Sequence, residues 1–183
     1  MRWRSQKEIR CKDGKTCILR NAELEDAEAL IHYLKQTATE TPYLMREPEE
    51  IAITKEQEES FIRSKLEDPR ELMLIGTIDG EHVGNCSLMS MGDYKRYAHR
   101  CTVAIALYQK YCGFGIGKAM LKEVLRVAKE LGYEQAELEV VSGNETAIRL
   151  YESLGFEIYG TLPNSVKYKD GTYASDHLMV KRL

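Results

Sequence analysis

Three glycines alternate over five residues in Tyr111-Cys112-Gly113-Phe114-Gly115-Ile116-Gly117-Lys118, and this stretch limits the fold more than any other. An apolar segment, Cys101 to Leu107, precedes it. After it, Leu121, Val124, Leu125, Ala128 and Leu131 recur at helical spacing. The order is therefore strand, glycine turn, helix. A helix N-terminus carries unpaired N–H groups and the positive end of the macrodipole. Glycines remove the Cβ atoms that would hold a ligand away from the backbone. Together they describe an anion site, usually for phosphate. A single glycine would fit a plain chain reversal; three alternating ones favour phosphate binding.

Two familiar phosphate loops do not fit. A P-loop counted back from Gly117-Lys118 would begin at Cys112, and Ala119 stands where the magnesium-binding hydroxyl belongs. A dinucleotide fingerprint would need a glycine where Lys118 stands, and it should lie in an opening βαβ unit rather than late in the chain.

With 183 residues, 43% of them hydrophobic, residues 1–183 are expected to form a single α/β domain with a sizeable core. A net charge of −3 and the lack of a long basic run argue against nucleic acid as a partner. The five cysteines include no C-x-x-C pair, and the four histidines are scattered. Free thiols in a reducing cytoplasm are expected, with no metal. Met1–Ser5 is not followed by the apolar stretch of a signal peptide, and no apolar run approaches a membrane span, so no membrane association is expected.

In chain order, Asp13-Gly14 predicts a hairpin between Glu8–Cys11 and Thr16–Arg20. A helix follows, with Ala27, Leu30, Ile31 and Leu34 as its buried stripe. Residues Thr37 to Ile53, broken by Pro42 and Pro48, read as irregular. Their apolar Tyr43, Leu44 and Met45 suit either a lid over substrate or a plug of the core. Thr54 and Gln57 form a capping box for a helix that buries Phe61, Ile62 and Leu66 and stops near Asp68-Pro69. Asp79-Gly80 predicts a second hairpin, between Glu71–Ile78 and His82–Met91, and Gly92–Lys95 a turn before the strand His99–Leu107. Beyond the long helix come the strand Gln135–Val141 and a helix N-capped by Asn144. The helix places Ala147, Ile148, Tyr151 and Leu154 on one face. A last hairpin turns at Asp170-Gly171 and closes with His177–Val180. The strand–helix–strand unit requires a right-handed crossover and a parallel pair, so the sheet is mixed, antiparallel in its N-terminal half.

Two motifs resemble those of the GNAT superfamily of N-acetyltransferases. The first is Cys112-Gly113-Phe114-Gly115-Ile116-Gly117, similar to Gln/Arg-x-x-Gly-x-Gly/Ala. The second is the run from Asn144 through Ala147, Leu150, Tyr151 and Gly155 to Phe156, similar to Asn-x-x-Ala-x-x-Leu-Tyr-x-x-x-Gly-Phe. Both stand in the family's order and spacing. The resemblance is tight over residues 99–160. It implies a GNAT-like α/β (α+β) fold: a mixed, mostly antiparallel central sheet with about four helices on both faces. It also implies acetyl-CoA as co-substrate and a primary-amine acceptor: a small amine, a polyamine or a protein N-terminus. Transfer would be direct, in a ternary complex. Oligomeric state stays open, with a homodimer the form family members often take.

The resemblance assigns cofactor contacts to Cys112, Gly113, Phe114, Gly115, Ile116 and Gly117 through their backbone. Cys112 departs from the usual Gln or Arg, losing a contact worth roughly 1–2 kcal/mol. Lys118 either supplies charge to the phosphates or is an ordinary solvated helix lysine. Asn144 is an N-cap, a CoA contact or both. The backbone N–H near Leu107 to Tyr108 resembles the family's position for polarising the thioester carbonyl. Tyr151 is the expected acid toward the CoA thiolate. From spacing alone it would read as a core tyrosine. Glu139 is the candidate base, although Glu137 shares its face by alternation and a water relay could replace it. Thr102, near the place where other members carry a base, cannot serve. Cys112 as a nucleophile ranks low, with no histidine near it in sequence. The competing functions are an acyl-CoA-binding sensor with little turnover and an acyltransferase using another donor such as succinyl-CoA.

Overall fold

In the computed structural model, which describes residues 6–92 and 94–183, eight strands form one sheet. The strands are β1 (Lys7–Arg10), β2 (Thr16–Asn21), β3 (Leu72–Ile78), β4 (Glu81–Ser90), β5 (Arg100–Leu107), β6 (Gln135–Val141), β7 (Glu157–Lys167) and β8 (Tyr173–Arg182). The helices are α1 (Ala27–Glu40), α2 (Lys55–Glu67), α3 (Ile116–Glu130) and α4 (Glu145–Glu152). The segment Met1–Ser5 and Asp93 of the expected turn lie outside the described residues. Among the described residues no helix is long and apolar enough to cross a membrane.

The sheet runs β1-β2-β3-β4-β5-β6-β8-β7 and is antiparallel at every junction except β5–β6. This is the mixed, mostly antiparallel sheet with four helices that the motifs imply. The long helix α3 makes the crossover that permits the parallel pair.

Two apolar cores cover the two faces. On one face α3 contributes Ile116, Met120, Leu121, Val124 and Ala128, and α4 contributes Tyr151, against Leu74, Val83, Cys86, Val103 and Leu138 of the sheet. Burying each such aliphatic side chain contributes about 1.5–3 kcal/mol. On the other face Leu30 and Tyr33 of α1 and Ile62 of α2 pack on Met73 and Ile75. That second layer leaves β6, β8 and β7 uncovered, and β7 is exposed along most of its length.

Several boundaries differ from expectation. Helix α1 continues through Thr37 to Glu40, because Tyr33 and Thr37 are buried and extend its apolar stripe, while Ile31 and Leu34 are only half-buried. The Thr37 hydroxyl donates to the Tyr33 carbonyl at 2.8 Å, which satisfies it inside the helix. Pro48–Glu50 forms a 3-10 turn closed by a Glu47–Glu50 capping box. In α2 the capping box at Thr54 forms, but Phe61 points outward at 44% exposure, Leu66 is half-buried, and the deeply buried residues are Ile62 and Glu58. Strand β8 begins at Tyr173, four residues before His177.

Strands β5 and β6 pair over only three residues each, Arg100–Thr102 with Gln135–Glu137. Beyond that point β5 keeps only β4 and β6 keeps only β8. At the closed end, Arg100 Nε and Nη2 donate to the two Glu137 oxygens at 2.5 and 2.7 Å. The open end is a gap in the sheet, bordered by Val103–Leu107 on one side and Leu138–Val141 on the other.

Candidate active site

The glycine loop sits at the open end of this gap. A short turn, Gln109–Tyr111, precedes it; the Gln109 N–H donates to Glu40 of α1 at 2.7 Å, and the Cys112 N–H donates back to the Gln109 carbonyl at 3.0 Å. Gly113 and Gly115 both adopt φ near +87 (86 and 88), a conformation costly for any residue with a Cβ. Gly115 is the N-cap of α3, and the first helical bond runs from the Ala119 N–H to the Gly115 carbonyl. Among the described residues the N–H groups from Gly113 to Lys118 have no protein acceptor. They form a run of backbone donors at the positive end of a 15-residue helix.

Side chains in the loop have separate work. Ile116 is fully buried and pins the start of α3, and Phe114 packs against the same core. Gly117 answers a packing demand: a Cβ there would approach Leu107 Cδ1 to 3.3 Å and Ile105 Cδ1 to 3.6 Å. Lys118 is exposed in a first turn that holds no acid, opposite to what the helix dipole favours. The Cys112 thiol lies 3.6 Å from the Tyr108 carbonyl; although the residue is exposed, partial desolvation of the thiol, reinforced by Glu40, raises its pKa. A thiol held protonated is a poor nucleophile.

The Tyr108 N–H donates to the Val83 carbonyl at 3.1 Å and is therefore occupied. Hydrogen bonding alternates along an antiparallel ladder. The Leu107 N–H, one residue earlier, is thus directed away from β4, toward the side from which β6 has withdrawn.

Tyr151 and Glu139 flank the gap from opposite faces. Tyr151 lies on the α3–α4 face at 7% exposure, its ring 5.9 Å from that of Phe156. Burial, with the Cys86 thiol of β4 adding to it, pushes its pKa up to about 12. Tyr151 belongs to the same buried cluster as Cys86 of β4 and Val103 of β5. Glu139 is exposed on the face opposite Leu138 and Val140, two residues past the last β5 partner. Glu137 is different: it is 8% exposed, held by Arg100 and by Gln135 Nε2 at 2.8 Å, and the Arg100 bonds keep its pKa low. Asn144 caps α4, its side-chain oxygen accepting from the Ala147 N–H at 3.3 Å.

The irregular segment after α1 closes over the Glu139 side of the gap. The Tyr43 hydroxyl donates to the Gly143 carbonyl at 3.1 Å, beside Asn144. Met45 is 97% exposed, while Ile51 further on is the residue that enters the protein interior. The segment is thus a strap across the surface rather than a plug. Its far end is tied to the β7–β8 turn, where Lys169 meets Glu49 directly and Glu47 at 3.4 Å. Sequence reading identified both segments but not their junction, since nothing local marks Lys169 as the partner of an acid 120 positions away.

Comparison with known proteins agrees with this architecture. The acetyltransferase (GNAT) family model matches residues 28–156. An N-alpha-acetyltransferase of Sulfurisphaera tokodaii is 28% identical, over 80% of this chain and 83% of the relative. The crystal structure of a GNAT-family acetyltransferase from Streptococcus pneumoniae superposes with a TM-score of 0.87 at 25% identity, covering 91% of this chain and 99% of the other. The yncA structure from Salmonella typhimurium, solved with its cofactor acetyl-CoA, shares the fold with a TM-score of 0.78 at 18% identity, over 90% and 92% of the two chains.

Proposed function

The chain belongs to the acetyltransferase (GNAT) family of acetyl-CoA-dependent enzymes, and from that premise we propose that it acetylates a primary amine by direct attack in a ternary complex. The observation that carries this reading is the run of unsatisfied amides from Gly113 to Lys118 beside the gap between β5 and β6. The CoA diphosphate accepts hydrogen bonds from those amides, with Lys118 adding charge. The pantetheine arm then enters the gap, and the Leu107 N–H polarises the thioester carbonyl as negative charge develops on its oxygen.

The acceptor arrives from the strap side. A free alkylamine has a pKa near ~10.4 and must lose a proton before it can attack. Glu139, exposed on that side, takes this proton directly or through water. The amine nitrogen bonds to the acetyl carbon, the C–S bond breaks, and Tyr151 donates its proton to the departing sulfur. A phenol whose pKa burial pushes up to about 12 holds that proton at neutral pH and has it to give. The acceptor class is a small amine, a polyamine or a protein N-terminus; the similarity to an N-alpha-acetyltransferase supports the last. Five free cysteines suit a reducing compartment, so we assign the enzyme to the cytoplasm.

Titration calorimetry with acetyl-CoA, followed in the same cell by amines and N-terminal peptides, tests the reading. Micromolar binding and heat from one acceptor class are expected. Binding of succinyl-CoA in place of acetyl-CoA would overturn the donor, and binding without turnover of any amine would favour the sensor. Glu139→Gln should lower kcat about tenfold or more and alter the pH profile; an unaltered profile would point to a water relay.

A further inference from the structure

We infer that Lys12, in the β1–β2 turn, is a cation of the CoA diphosphate site, supplying the charge that Cys112 does not. The inference rests on the donor reading above. The turn is docked onto the glycine loop: the Lys12 N–H donates to the Phe114 carbonyl at 3.1 Å. Internal bonds make it stiff, with the Cys11 N–H on the Lys15 carbonyl at 2.8 Å and the Gly14 N–H on the Cys11 carbonyl at 2.9 Å. Cys11 itself is 4% exposed and anchors the turn in the core.

The Lys12 side chain then runs across Gly115. A Cβ built on that glycine would lie 3.9 Å from both Cγ and Cε of Lys12. The stem therefore covers the loop while the residue as a whole remains exposed. Its ammonium has no carboxylate partner among the described residues, unlike Lys7, which pairs with Glu123 at 2.6 Å. Among the described residues Lys12 and Lys118 thus both lack a carboxylate partner near the positive end of α3, whose first turn holds no acid. Two cations there work against the helix dipole unless an anion lies between them. A diphosphate seated on the Gly113–Lys118 amides is such an anion, and Lys12 approaches it from a separate part of the chain.

The experiment measures acetyl-CoA affinity of the full chain and of Lys12→Ala, Lys12→Met and Lys12→Arg, at low and moderate salt, with thermal melts as a folding check. Lys12→Met keeps the stem against Gly115 and removes only the charge. Expected are a five- to tenfold weaker Kd, roughly, for the Ala and Met variants, recovery in Lys12→Arg and a shallower salt dependence. The same penalty should appear with 3′-dephospho-acetyl-CoA; its disappearance there would move the contact to the 3′-phosphate and overturn the diphosphate assignment. Wild-type affinity in Lys12→Met would overturn the role of Lys12 and leave the donor reading intact. A wild-type chain that binds no acetyl-CoA would overturn both. In a Cys112→Arg background the Lys12→Met penalty should shrink, because the charge is then supplied twice.

Discussion

On the donor side of the β5–β6 gap, the proposed ligand-facing groups come, apart from Lys12 and Tyr151, from one nearly unbroken stretch, Leu107 to Lys118, and most are backbone amides. On the acceptor side they are side chains from three distant segments: Tyr43 to Glu49, Glu139, and the β7–β8 turn with Lys169. Amides at a helix N-terminus need only the right dihedral angles, which Gly113 and Gly115 provide. A wall of side chains depends on the register of β6 with β8 and on an ion pair spanning 120 positions. The first construction depends little on side-chain identity outside its glycines. The second can change with a few surface residues, which is how one fold serves different acceptors.

The sharpest way to break the donor side is Gly115→Val. A β-branched residue at φ 88 is strained, and its side chain would lie against the Lys12 stem. Acetyl-CoA binding by calorimetry should weaken by more than about a thousandfold; retained binding would remove the loop from the phosphate site.

Tyr151→Phe separates chemistry from binding. Turnover should fall about a hundredfold with the acetyl-CoA Kd unchanged. The pH dependence has a defined sign. The phenol is needed in its protonated form, so activity dependent on it is present at low and neutral pH. It is lost only as pH rises toward about 12. Wild-type kcat should therefore show no alkaline loss from this group below pH ~10. An alkaline limb near neutrality that vanishes in Tyr151→Phe would contradict the burial-raised pKa.

The smallest effect is expected on the acceptor side. Lys169→Ala frees the strap from the β7–β8 turn, and an ion pair this exposed is screened by solvent and contributes little. The acceptor KM should rise about two- to fivefold, with the acetyl-CoA Kd and melting temperature nearly unchanged. A larger effect on acetyl-CoA than on the amine would show that the two sides are coupled.

What the sequence by itself determined lies where structure is local. Helix α3, the left-handed glycines before it and the Asn144 cap of α4 follow from spacings of a few residues, because helical bonds and turn dihedrals are set over that range. The Asp-Gly hairpins at Asp13, Asp79 and Asp170 are local in the same sense. Alternation put Glu137 and Glu139 on one face and could not separate them. Tertiary structure did, because Arg100 on the neighbouring parallel strand occupies Glu137 and leaves Glu139 exposed. The length of α1 was decided in the same way, by Tyr33 and Thr37 finding a buried place against the sheet. Lys12 beside Gly115 and Lys169 on the strap are likewise products of strand order. A side chain's identity fixes what it can bind, but which group it meets across a hundred residues is fixed by register and packing, and no short-range pattern carries that information.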